Sequence, residues 1–176
     1  MNIFAIEKNT NGSIDWVASA QSQDNYRVVK MTLETAQLMC SALNILSGEV
    51  KVTPYRTAHK NHPCTIWARQ SYANFICLGI HGVALGTEYK RRFGKDHKSL
   101  DVINKCLEMC REIDFPQTTG TQLPLCMPDE FKSNDIVHSY RTFYASKPRM
   151  RYPHDKIPQW FKEMRTLPFE TIGEQK

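Results

Sequence analysis

Residues 24–48 read DNYRVVKMTLETAQLMCSALNILSG, and their periodicity decides the fold. Asp24 is a helix-capping residue and Gly48 stands where a helix ends in a left-handed turn, so the stretch predicts a long helix from about Asn25 to Leu46. Val28, Met31, Leu38, Ala42 and Ile45 recur at helical spacing and form its buried stripe. Arg27, Lys30, Glu34, Gln37 and Ser41 are spaced three and four apart, so they share a second, polar face. That face has two readings. It is a solvated surface with a Lys30–Glu34 pair worth a few tenths of a kcal/mol, or it presents Glu34 as a carboxylate to an anion-binding cleft.

Downstream lies His59-Lys60-Asn61-His62-Pro63-Cys64-Thr65-Ile66-Trp67-Ala68-Arg69. Proline has the φ of a first helical turn and lacks an N–H that the turn cannot use, so Asn61 or His62 is the expected cap and a helix runs from Pro63. It continues to Phe93, with Gly94 as its stop. Gly79, Gly82 and Gly86 interrupt the pattern at about 1 kcal/mol each against alanine; they either break the helix or let another helix approach closely. A helix start crowded with His59, Lys60, His62 and Arg69 suits a phosphate or carboxylate, against a plainer reading in which Trp67 is core and the charges meet water. Lys90, Arg91, Arg92, Lys95, His97 and Lys98 then form the most basic segment.

Ser99 or Asp101 begins a third helix with Leu100, Ile103, Cys106, Leu107 and Cys110 inward, and Pro116 follows its end. Residues 115–128 read as an ordered loop, and a fourth helix spans about 134–146 through Ile136, Val137, Tyr140, Phe143 and Tyr144. Asn2 to Glu7 is β-like and leads into the turn Asn9-Thr10-Asn11-Gly12, and Ile14 to Ala20 is either its partner in a short N-terminal β-hairpin or a short helix. The expectation is a mainly α, compact helical bundle forming a single domain over 1–176. In it, 147–176 is a Pro-rich, basic extension packed through Trp160 and Phe161, with the last dozen residues frayed.

The 176 residues suffice for a core without disulfide or metal, and a net charge of +5 favours an anionic partner. Residues 1–25 hold no apolar run long enough for a signal peptide and nothing later approaches a membrane span, which predicts a cytoplasmic protein and no membrane partner. Six cysteines occur without a C-x-x-C pair, so reduced thiols and no metal are expected; Cys106 and Cys110 with a histidine are the zinc alternative weighed.

Segments from Arg27 to Leu38, His59 to Arg69, Glu88 to Ser99, Cys126 to Lys132, Tyr140 to Tyr144 and Pro158 to Phe161 resemble a family of small uncharacterised proteins of tailed phages. More remotely, the order Glu34, then Asn61-His62-Pro63 with Trp67, then Glu88, Arg92-Phe93-Gly94 and His97-Lys98-Ser99 is similar to the pyrimidine-dimer DNA glycosylase (phage endonuclease V) family. That resemblance implies a glycosylase and AP lyase in the host cytoplasm, needing no cofactor. In such an enzyme an amine attacks sugar C1′ while a carboxylate manages protons. The chain departs from the family at the nucleophile, the α-amino group exposed once Met1 is removed, because Asn2 is bulkier than the residues that permit removal. Lys30 or Lys60 is the substitute amine.

Two readings follow. In one, Glu34 and Lys30 are catalytic, and Arg27, His59, Lys60, Asn61, His62, Arg69, Arg92, His97 and Lys98 hold DNA phosphates. In the other, the same pocket sequesters a small nucleotide without catalysis, as an anti-defence protein of a phage would, with a homodimer as one oligomeric alternative. A structural or host-interaction protein, its motifs only core and caps, is the third.

Overall fold

The computed structural model describes residues 2–48 and 50–172. After a short helix α1 (Trp16–Gln21), Asp24 starts α2 (Asn25–Leu46), its carboxylate accepting from the Tyr26 N–H at 3.2 Å. Ser47 and Gly48, the latter at φ 77°, close it. The predicted stripe is buried throughout except for half-buried Ile45. The chain is mainly helical, with α2 against three further helices: α3 (Pro63–Gln70), α4 (Tyr72–Phe93) and α5 (Lys98–Met109).

The helix expected over 63–93 is two helices. Ser71 is extended (φ −149°, ψ 146°), and its Oγ caps α4 by accepting from the Asn74 N–H at 3.1 Å. The break holds because the first amides of α4 find acceptors elsewhere: Tyr72 and Ala73 donate to the carbonyls of Gln117 and Thr118 at 2.9 and 3.2 Å. The glycines do not break α4; they bring its neighbours close. A Cβ on Gly79 would lie 2.4 Å from Leu107 of α5, and one on Gly82 2.6 Å from Thr35 of α2.

The N-terminal hairpin is reduced to one antiparallel bridge between Lys8 and Ile14. The run before it is not a strand because its amides are satisfied from α1, where Ser19 Oγ accepts from the N–H groups of Ile6 and Glu7 at 3.0 and 2.9 Å. Ile3, Phe4, Ala5 and Ile6 are nonetheless core. Beyond α6 (Ile136–Ala145), the extension forms β1 (Arg151–Pro153), α7 (Gln159–Met164) and β2 (Glu170–Ile172). β1 and β2 pair in parallel, with Tyr152 opposite Thr171. The frayed end expected over the last dozen residues therefore includes an ordered strand; residues 173–176 lie outside the described part. Trp160 and Phe161 are buried as expected, packed edge-on against Tyr144. Among the described residues no helix is long and apolar enough to cross a membrane.

Candidate functional site

The polar face of α2 is not a solvated one. Arg27 and Glu34 are buried, and together with Lys30 they line a cleft of about 200 Å³ completed by Asn2, Phe4, Tyr26, Met31 and Lys147. Lys30 Nζ stands 3.3 Å from Glu34 Oε1, with the lysine half exposed and the carboxylate nearly enclosed. Asn2 Oδ1 is also enclosed, with no hydrogen-bond partner among the described residues.

Arg27 builds the cleft more than it serves it. Its guanidinium donates to both oxygens of buried Asp24 at 3.3 Å and to the Pro148 carbonyl at 3.1 Å, and lies 2.9 Å from Met150 Sδ. Asp24 is held in turn by the Tyr144 hydroxyl at 2.8 Å. These bonds fasten the chain just after Lys147 to the first turn of α2. Lys147 is half-buried with Nζ 3.3 Å from the centroid of the Phe143 ring. Burial, then the positive charges of Arg27 and Lys30, push its amine below the ordinary lysine value. The cleft thus combines an enclosed carboxylate with an amine whose charge is disfavoured by burial and by its cationic neighbours.

Across Tyr26, which lines both, a larger groove of about 620 Å³ is bounded by Asn25, Val29, Phe93, Arg149, Met150, Arg151 and Glu170. Tyr26 is 56% exposed and Phe93 37%, so two aromatic rings face solvent beside two arginines. Arg149 sits at φ 56°, a left-handed conformation costing a non-glycine residue of the order of 1 kcal/mol. Arg151 is paired with Glu170 at 2.6 Å, and both are exposed.

Residues at the start of α3 stand apart from this cleft. His62, not Asn61, is the cap: its Nδ1 accepts from the Cys64 N–H at 3.1 Å. His59 (φ 50°), Lys60 and Asn61 form the exposed turn before it, and Arg69 reaches back to donate to the Lys60 carbonyl at 2.6 Å. None of these lines the cleft with Glu34. Arg92 is more deeply committed. Its side chain is 3% exposed and donates to Glu88 Oε1 at 2.7 Å, Asn25 Oδ1 at 3.0 Å and the carbonyls of Gln23 and Gln21 at 2.8 Å each. Burial works against the Glu88 charge, but hydrogen bonds from Arg91 and Arg92 outweigh it and hold this carboxylate below its ordinary value. His97 caps α5 by accepting from the Ser99 N–H at 3.1 Å, and burial lowers its pKa; Lys98 is exposed beside it.

A second cluster lies around the start of α3. One ligand atom each from His62, Cys64 and Cys126 fall within 4.8 Å of one another, and the two sulfurs are 3.4 Å apart. Hydrogen bonding between the two thiols lowers the pKa of Cys126 and raises that of Cys64. The zinc alternative weighed from the sequence, Cys106 with Cys110 and a histidine, is not formed among the described residues; Cys106 meets Cys40 instead, sulfur to sulfur at 3.6 Å.

Sequence reasoning missed Lys147 as part of the α2 cleft and Cys126 as the neighbour of His62. Both belong to segments whose position follows from Arg27 and from loop contacts, and the sequence marks neither partnership. Of the proposed amines, Lys30 is at the cleft and Lys60 is not. Compared with known proteins, the chain matches no family model, no curated protein and no solved structure.

Proposed function

We propose that the chain is a phage-encoded DNA-binding protein with glycosylase/AP lyase chemistry in the α2 cleft, where Glu34 manages protons and Lys147, with Lys30 beside it, supplies the amine. One observation carries the reading: an enclosed carboxylate and a charge-destabilised, half-buried amine share a cleft of about 200 Å³. That volume is below the roughly 300 Å³ at which pockets begin to hold drug-sized ligands, so it fits one sugar or phosphate projecting from a larger molecule. A whole nucleotide does not fit.

The adjoining groove supplies what a polymer needs. Tyr26 and Phe93 offer faces for stacking, while Arg149 and Arg151 lie where a backbone would pass. With the sugar of a displaced nucleotide in the cleft and its base outside it, the Lys147 amine attacks C1′ and the C1′–N bond breaks, the leaving base taking the bonding electrons and a proton from water. The attached amine passes a proton to Glu34, which returns it to O4′ as the C1′–O4′ bond breaks and the nitrogen lone pair closes the protonated imine.

The alternative, a protein that sequesters a small nucleotide, draws on the larger groove, whose volume suffices for one. Fluorescence anisotropy separates the two. Under the proposal, labelled duplex carrying one abasic site binds with a steep salt dependence, and Tyr26→Ala and Arg149→Ala weaken it; mono- and cyclic dinucleotides do not compete at equal concentration. Tight nucleotide binding with no DNA binding would assign the groove to sequestration.

A further inference from the structure

We infer that His62, Cys64 and Cys126 form a zinc site with three protein ligands and one vertex open to water or an incoming ligand. The donors come from two segments, the first turn of α3 and the loop over 115–128, so a metal would tie the start of that helix to the loop. The chemistry of the set is specific: two thiolates and one imidazole suit zinc, while magnesium and calcium require oxygen ligands that the cluster lacks.

The spacing is near what zinc needs. A tetrahedral ion with zinc–sulfur bonds of about 2.3 Å sets its sulfurs roughly 3.8 Å apart. The thiols here are 3.4 Å apart, so a few tenths of an ångström of opening admits the ion. His62 Nδ1 carries the ring's lone pair and spends it on the Cys64 N–H, so an ion bound through that nitrogen takes the place of the cap bond.

Bonds behind the ligands hold the loop in place, as preorganised metal sites require. The Trp67 indole donates to the Thr121 carbonyl at 3.1 Å, and Asn74 both receives from the Thr121 N–H at 2.8 Å and donates to its hydroxyl at 2.7 Å. Nearer the ligand, buried Tyr140 donates to the Pro124 carbonyl at 2.6 Å, and the Cys126 N–H shares that acceptor at 3.1 Å. Cys64 is buried, whereas His62 and Cys126 are half-buried, which puts the fourth vertex on the solvent side. Three ligands with an accessible vertex is the pattern of a site that binds or activates something; closed structural sites have four.

The test uses the full chain, reduced and freed of metal, titrated with cobalt(II) under anaerobic conditions and then with zinc. We expect one cobalt per chain, with thiolate-to-cobalt charge transfer in the near ultraviolet and visible bands of tetrahedral intensity, all displaced by one equivalent of zinc. Native mass spectrometry should show the same stoichiometry. Cys126→Ser, a half-buried position that leaves the core intact, and His62→Asn, which keeps a cap and removes the imidazole, should each weaken binding by more than the roughly 100-fold that loss of an outer-shell partner brings. Cys77→Ala should bind as wild type does. Weak octahedral cobalt absorption alone, binding by Cys126→Ser equal to wild type, or ready oxidation of Cys64 and Cys126 to a disulfide with no metal uptake at any concentration would overturn the inference. Because the readout is metal binding, it stands or falls separately from the cleft.

Discussion

Replacing Arg92 by methionine separates a structural arginine from a phosphate-binding one. Methionine keeps most of the apolar stem and removes the guanidinium, which makes four hydrogen bonds to Glu88, Asn25, Gln23 and Gln21. The loss falls on a partner that cannot hydrate: the Glu88 side chain is 4% exposed and would retain, among the described residues, only Arg91, itself 47% exposed. Breaking a buried pair from one side costs about 3–5 kcal/mol, because the remaining charge stays enclosed. Taking about 4 kcal/mol and a urea m-value of ~2 kcal/mol/M, the midpoint should fall by about 2 M, followed by circular dichroism at neutral pH. The salt dependence of DNA binding by the folded variant should be unchanged. A midpoint within about 0.5 M of wild type, together with a salt slope lower by about 1, would show that Arg92 holds a phosphate and that its internal bonds are incidental.

Three further outcomes follow from the same geometry. His81 is fully buried, donating from Nδ1 to the Trp16 carbonyl at 2.9 Å, and burial lowers its pKa to about 4. The unfolded chain protonates near 6.5, so His81's contribution is complete above that pH and lost as pH falls toward 4. Urea stability should decline by about 1.4 kcal/mol per pH unit from this residue, a slope that His81→Gln should remove. Gly82→Ala gains helix propensity but drives a methyl against Thr35 Cγ2 at 2.6 Å and Ile103 Cδ1 at 3.0 Å; a net loss of ~1–3 kcal/mol in urea melts is expected. Glu34→Gln should leave the fold intact by circular dichroism and abolish turnover on abasic DNA, whereas for a sequestering protein it would alter affinity alone.

The sequence carries the helices well where caps and periodicity are local. Asp24 and Gly48 bracket α2 correctly because a cap bonds within its own turn. Ser71 is different: nothing beside it breaks a helix, and the extended residue is stable only because Gln117 and Thr118 bring carbonyls to the start of α4. The candidate site divides in the same way. Arg27, Lys30 and Glu34 are legible as one face through their three- and four-residue spacing, and the structure encloses that face. Lys147 is not legible, since its place over α2 depends on Arg27 binding the Pro148 carbonyl. The basic run from Lys90 to Lys98 misleads for the complementary reason. A charge counted along the chain shows no acceptors, and Arg92 finds all of its partners inside the fold.

The central claim is that an amine in the α2 cleft forms an imine with DNA, and borohydride trapping tests it most directly. Wild-type protein is mixed with a duplex bearing a single abasic site, reduced with borohydride, digested and mapped by mass spectrometry. The account predicts a covalent protein–DNA adduct on Lys147 that is lost in Lys147→Ala, with Glu34→Gln slowing its formation. No adduct on abasic or ultraviolet-irradiated DNA, or an adduct of equal yield in Lys147→Ala, would contradict it.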